Sequence, residues 1–204
     1  QIAKVFRSTL YRRCDDDGST FYFSHKDFKG LSAQPYTFVS SAGNILKGYF
    51  YSYQNPDESR LIVFDHGFGG GHRSYMKEIE MLCRQGYKVF SYDHTGCMES
   101  GGENTNGFAQ SLRDLDDVLK ALKKVPELSG RGIAVVGHSW GGFSTMNIAA
   151  LHEDITHVVS MSGFISVKIM LEQLFTGILK GAVKGLYQLE KQANPDYAEF
   201  DAMR

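Results

Sequence analysis

Four short apolar runs separated by stretches of helical period limit most narrowly what this chain can fold into. They are RLIVFDHG (60–67), YKVFSYDH (87–94), RGIAVVGHS (131–139) and HVVSMSG (157–163). Between them, residues 73–85 place Met76, Ile79, Leu82 and Cys83 on one helical face, and residues 108–124 place Phe108, Leu112, Leu115, Leu119 and Leu122 at steps of four and three. A strand packed on one face alternates apolar with polar residues, whereas a strand buried on both faces loses that alternation. The runs therefore predict an α/β fold, a mostly parallel sheet with helices on both faces. Ahead of it, YTFVS (36–40), the turn SAGN and ILKGYFYSY (45–53) are rich in β-branched and aromatic residues and predict an N-terminal hairpin.

The flanks are less regular. Residues 1–35 carry little period and read as an N-terminal extension without an assigned function. The core is expected over 36–167. From Lys168 to Gln192, Leu171, Leu174, Phe175, Ile178 and Leu179 keep helical spacing, Gly177, Gly181 and Gly185 interrupt it, and Asn194-Pro195 ends it. That pattern predicts one or two mobile helices in 168–204 rather than a further strand. In the long helix, Asp114, Asp116 and Asp117 are expected to form a solvated face.

Composition narrows the partners. A chain of 204 residues with 42% hydrophobic content suits one well-buried domain. The 22 Lys and Arg nearly cancel the 23 Asp and Glu, and no basic stripe tracks the chain, which argues against nucleic acid or another polyanion. The three cysteines, Cys14, Cys83 and Cys97, lack metal-type spacing, and their odd number fits a reducing, cytoplasmic compartment. No apolar run reaches the ~18 residues a membrane span needs. A start at Gln1 leaves room for an upstream signal or anchor.

In open α/β sheets ligands bind beyond the carboxyl ends of the strands. The residues expected there are His66-Gly67-Phe68-Gly69-Gly70, Asp93-His94, His138-Ser139-Trp140 and Ser162-Gly163. Gly137-His138-Ser139-Trp140-Gly141 satisfies G-x-S-x-G between an apolar strand and a helix, the setting in which a sharp turn pushes a serine hydroxyl outward. The helix that follows opens with unpaired N–H groups, so the Trp140 amide is one candidate donor to a developing oxyanion. The Phe68 amide in HGFGG is the second.

HGFGG (66–70), YDHTGCMES (92–100) and GHSWGG (137–142), in that order and spacing, resemble the α/β-hydrolases, in particular the group of serine aminopeptidases, monoacylglycerol lipases and related esterases. The resemblance covers roughly residues 36–164. It implies Ser139 as nucleophile, the Phe68 and Trp140 amides as the oxyanion hole, support of the loop and elbow by His66, Gly67, Gly69, Gly137, His138 and Gly141, and a helical cap beginning after Lys168. The family's D-x-R-G-x-G-x-S segment carries Thr95 and Met98 here in place of the Arg and the second Gly.

The family's acid and histidine follow the cap in chain order. His152 and His157 precede the last apolar run and lie at the opposite edge of the sheet from Ser139, so the base and acid are expected beyond residue 204. His66 reads as a loop-orienting residue. His94 and His138 are the alternatives for a base: His138 flanks Ser139 on a turn that parts the two side chains, and His94 sits on a neighbouring strand end. Asp65, His66, Asp93 and His94 lack metal-type spacing, so neither metal nor other cofactor is expected. Asp93 is expected to close its loop, Trp140 to pack beneath the turn or line the pocket, and Ser162-Gly163-Phe164 to form a pocket wall.

The activity so implied is a serine hydrolase cleaving a carboxylic ester or similar small acyl substrate through an acyl-enzyme at Ser139. The alternatives are a serine aminopeptidase-like peptidase and a non-catalytic relative that binds a ligand.

Overall fold

A computed structural model describes residues 2–203; Gln1 and Arg204, which bound the expected extension and cap, and the side chain of Ile178 lie outside the described residues. One six-stranded sheet runs in the order β1-β2-β4-β3-β5-β6. Its strands are β1 (Ser32–Val39), β2 (Ile45–Ser52), β3 (Asp57–Asp65), β4 (Tyr87–Tyr92), β5 (Gly132–His138) and β6 (Ile155–Met161). β1 and β2 form the predicted hairpin, which begins before Tyr36. β2 meets β4 antiparallel, and β4, β3, β5 and β6 are parallel. The predicted α/β architecture is the observed one. β3 begins inside the stretch that reads as a turn, and its register slips between Asp57 and Leu61.

The continuous apolar runs are explained by where alternate residues go. Leu61 and Val63 of β3, with Phe90 and Tyr92 of β4, pack against α3 (Gln110–Leu122) and α4 (Trp140–Ile148). Ile62, Phe64 and Val89 face the other way, onto Met76, Ile79 and Cys83 of α2 (Met76–Arg84). β6 departs from this expectation. Among the described residues it pairs with β5 alone, and Val158 and Val159 are 40% and 49% exposed, so its apolar run is not buried on both faces.

The flanks are largely helical and pack on the core. Residues 2–10 form a helix, α1 (Ile2–Leu10), whose Phe6 is buried between Tyr11, Phe108 and Phe175. The following strap is tied to the loop after β4: the Arg13 guanidinium donates to the carbonyls of Met98, Ser100 and Gly102 at 2.6, 3.0 and 2.8 Å. After β6 come α5 (Val167–Leu174), a 3-10 segment (Gly177–Ala182) and α6 (Val183–Ala193). Gly177 and Gly181 fall in the break, but Gly185 lies within α6. Glu190 of α6 is buried and accepts from the Phe108 and Ala109 amides at 2.8 and 3.3 Å and from the Tyr11 hydroxyl at 3.1 Å. Burial raises its pKa to about 7, against the pull of these donors.

Candidate active site

β5 hands over to α4 at Ser139, whose backbone stands at φ 54°, ψ −106°. A positive φ is uncommon for a residue with a side chain, and such conformers cost roughly 1–3 kcal/mol unless neighbours hold them. The Ser139 N–H donates to the Met161 carbonyl at the end of β6 (2.8 Å), and the Ser139 carbonyl accepts from Phe143 N–H (3.0 Å). The flanking glycines are required by close approach. A Cβ on Gly137 would meet the Gly141 carbonyl and the Thr145 hydroxyl, and one on Gly141 would meet the Asp65 and His66 carbonyls.

The loop after β3 lies alongside. His66 is fully buried, with Nδ1 donating to the Gly67 carbonyl (2.8 Å) and Nε2 accepting from His94 N–H (3.0 Å). Tyr75 bridges loop and turn: its hydroxyl accepts from Gly67 N–H (3.1 Å) and donates to His138 Nδ1 (2.8 Å). That bond engages His138 Nδ1 with Tyr75. Gly69 has φ 89° and is exposed. The ring centroids of Phe68 and Trp140 are 5.3 Å apart. Among the described residues, neither the Phe68 nor the Trp140 backbone N–H has an acceptor. Ser139 is half-buried, the Trp140 amide follows it directly at the start of α4, and the Phe68 side chain lies against the Trp140 ring.

Trp140 itself packs beneath the turn. Its ring is fully buried, its Nε1 donates to the Phe108 carbonyl (2.6 Å), and it lies 4.6 Å from the His94 ring. Phe164 stacks on Phe143 at 4.8 Å, behind the turn.

Under the turn sits a buried charge cluster that composition does not reveal. His94 is held between Asp65 (2.6 Å) and Asp114 (3.3 Å), all three fully buried. Burial opposes charge on the ring, but the two carboxylates outweigh it and raise the His94 pKa to about 10. For His66, burial and the neighbouring His94 charge both act in one direction, lowering its pKa to about 3. Asp65 also accepts from the Tyr92 hydroxyl (3.0 Å) and from the Ser144 hydroxyl of α4. Asp114 accepts from Thr95 N–H (2.7 Å), Thr95 Oγ1 (2.8 Å) and Gln110 Nε2 (2.7 Å).

This corrects the expected solvated face of α3. Asp114, Asp116 and Asp117 are all buried, because each has a partner from another element: His94 and Thr95, His152 and Tyr197, and Ser41. Asp93 closes its loop, accepting from His72 N–H and Nδ1 (both 2.8 Å) and from Glu99 N–H (3.1 Å). Burial works against its charge, and His72 more than offsets it, so its pKa falls to about 2.

The histidines are thus committed away from Ser139. His66, His94 and His138 are engaged as described, His72 with Asp93, and His152 with Asp116 and Lys123. His157 stands opposite Ala134, at the other end of the strands from His138 and Met161, and His25 lies in a surface pocket with Tyr49 and His72. Among the described residues no group of three or more His, Cys, Asp or Glu could hold a metal ion, and no helix is long and apolar enough to cross a membrane. The sequence does not single out Tyr75, and it places Asp65 and Asp114 in other roles; the partners that decide their positions, His138, Tyr92, Ser144, His94 and Thr95, lie in distant segments and leave no local signal.

Comparison with known proteins agrees with this geometry. A family described as serine aminopeptidase, S33, matches residues 56–201. The chain is 25% identical over 151 residues to the uncharacterized protein YqkD of Bacillus subtilis, covering 74% of this chain and 48% of that protein. It is 34% identical over 104 residues to the monoglyceride lipase of Rattus norvegicus, covering 50% of this chain and 33% of the lipase. The chain therefore spans about half the length, or less, of these curated relatives. The esterase Pf2001 of Pyrococcus furiosus shares the fold, with a TM-score of 0.68 at 18% identity over 95% of this chain and 72% of the esterase. With its sheet order, its serine turn and the extent of that family match, the chain belongs to the S33 serine aminopeptidase family of α/β-hydrolases.

Proposed function

We propose that this protein is a serine hydrolase that cleaves a carboxylic ester or similar small acyl substrate through an acyl-enzyme at Ser139. The observation that carries the reading is Ser139 at φ 54° between β5 and α4, supported by two amides, Phe68 and Trp140, that have no acceptor among the described residues. In this reading Ser139 Oγ attacks the substrate carbonyl and the two amides hold the oxyanion. Gly67, Gly69, Gly137 and Gly141 give the backbone its approach, while His66 and His138 fix the loop and the turn. A general base takes the serine proton and later returns it to the leaving group; water then releases the acid. Because His66, His72, His94, His138 and His152 are engaged elsewhere and His157 stands at the other end of the strands, the base and its acid are assigned to sequence outside these 204 residues. The helices α5 and α6 are the start of a cap over the acyl pocket.

The second reading, release of an N-terminal amino acid, is favoured by the family match itself. Both are tested by assaying the full gene product on p-nitrophenyl acyl esters and aminoacyl p-nitroanilides. Turnover of the esters, reduced by roughly three powers of ten or more in Ser139→Ala, is the expected result. Preferential turnover of the anilides would move the assignment to the peptidase, and no turnover of either by a folded protein would contradict both.

A further inference from the structure

Cys14 and Cys97 face each other on two segments that are 83 positions apart in sequence, and neither takes part in the proposed chemistry. They pair as a parallel bridge: Cys14 N–H donates to the Gly96 carbonyl and Met98 N–H to the Cys14 carbonyl, both at 2.8 Å. Paired residues on neighbouring strands lie about 4.8 Å apart, inside the roughly 4.4–6.8 Å between α-carbons that a disulfide spans. All three cysteines are buried, and the Cys14 thiol donates to the Arg12 carbonyl at 3.9 Å. The neighbouring Cys97 thiol lowers the Cys14 pKa to about 7, against burial, while Cys14 and burial together raise that of Cys97. Cys83, by contrast, is buried alone on α2, and burial raises its pKa to about 12.

We infer that Cys14 and Cys97 form an oxidation site that closes into a disulfide when the protein meets a peroxide, stapling the N-terminal strap to the loop after β4. The Cys14 thiolate attacks one peroxide oxygen, the O–O bond breaks, and hydroxide leaves, giving a sulfenic acid. The Cys97 sulfur then attacks the Cys14 sulfur. The S–S bond forms, the S–O bond breaks, and the hydroxyl leaves as water with the Cys97 proton. Two electrons pass from the two sulfurs to the peroxide, and two thiols and one hydrogen peroxide become one disulfide and two waters. The inference is independent of the role of Ser139.

The test is peptide mapping of the full gene product after brief exposure to hydrogen peroxide, with free thiols trapped by N-ethylmaleimide in denaturant. The expected result is a linked peptide pair containing Cys14 and Cys97, two hydrogens lighter than the sum of its parts, reopened by dithiothreitol, with Cys83 still fully alkylated. Cys14→Ser should abolish the linkage, and Cys97→Ser should leave Cys14 to accumulate oxygen adducts. The wild-type map decides the matter even if either variant fails to fold. Full alkylation of both thiols, or a Cys14 sulfinic acid beside a free Cys97, would overturn the inference.

Discussion

His66 and His94 are the same residue type, fully buried, with ring centroids 4.4 Å apart, yet one is neutral and the other charged at neutral pH. Burial acts alike on both. The difference is the company: His94 lies between two carboxylates, while His66 meets a carbonyl, an amide and the charge of His94 itself. The consequence is a division of labour between adjacent loops. The loop after β3 is shaped by neutral hydrogen bonds that leave Phe68 N–H without an acceptor among the described residues, and the loop after β4 supplies a fixed positive charge that ties α3, α4 and β3 together beneath the serine turn.

The largest way to break this contrast is Asp65→Asn. It leaves the His94 charge with Asp114 alone and weakens the bonds to Tyr92 and Ser144. Removing one partner of a buried ion pair costs about 3–5 kcal/mol. Urea denaturation at neutral pH should record that loss; a change below about 1 kcal/mol would mean that the cluster is not what holds the turn.

The charge difference also fixes how stability follows pH. His94 has a folded pKa of about 10, above the ordinary 6.5, so its contribution is complete below the ordinary value and is lost as pH rises toward 10. His66 has a folded pKa of about 3, below the ordinary 6.5, so its contribution is present above 6.5 and is lost as pH falls toward 3. In urea titrations across this range, the advantage of wild type over His94→Gln should shrink between pH 6.5 and 10, while the advantage over His66→Gln should shrink from pH 6.5 downward. Parallel curves would contradict the assignment of opposite charge states.

The smallest effect is expected from Tyr75→Phe, which removes the one hydroxyl linking Gly67 to His138. It should cost about 1 kcal/mol in the same assay, typical of a hydrogen bond, while leaving both histidine charges unchanged. A shift in the pH dependence of this variant would place Tyr75 in the charge cluster instead.

What the sequence made legible divides along the same line. The strands and the serine turn are local patterns: IAVV followed by G-H-S-W-G carries its own geometry, because the glycines are excluded from bearing side chains by atoms within a few residues or on the adjoining strand. Asp114 is the opposite case. Its neighbours on α3 suggest a solvated face, and only the fold brings Thr95 and His94 onto it. Phe6 and Arg13 differ: Ile2, Val5, Phe6 and Leu10 stand at helical spacing and mark α1, a period that the reading of residues 1–35 passes over, whereas the carbonyl partners of Arg13 lie more than eighty positions away and leave no local signal. The exposure of Val158 and Val159 could not be read from an apolar run, which records what a strand can bury and not what lies beside it.

The reading of Ser139 as the reacting atom meets its most direct test in intact-mass analysis of the full gene product after exposure to a fluorophosphonate. The account predicts one phosphonyl adduct, absent from a folded Ser139→Ala variant. A folded wild-type protein that takes no adduct, or a Ser139→Ala variant that keeps it, would contradict the account.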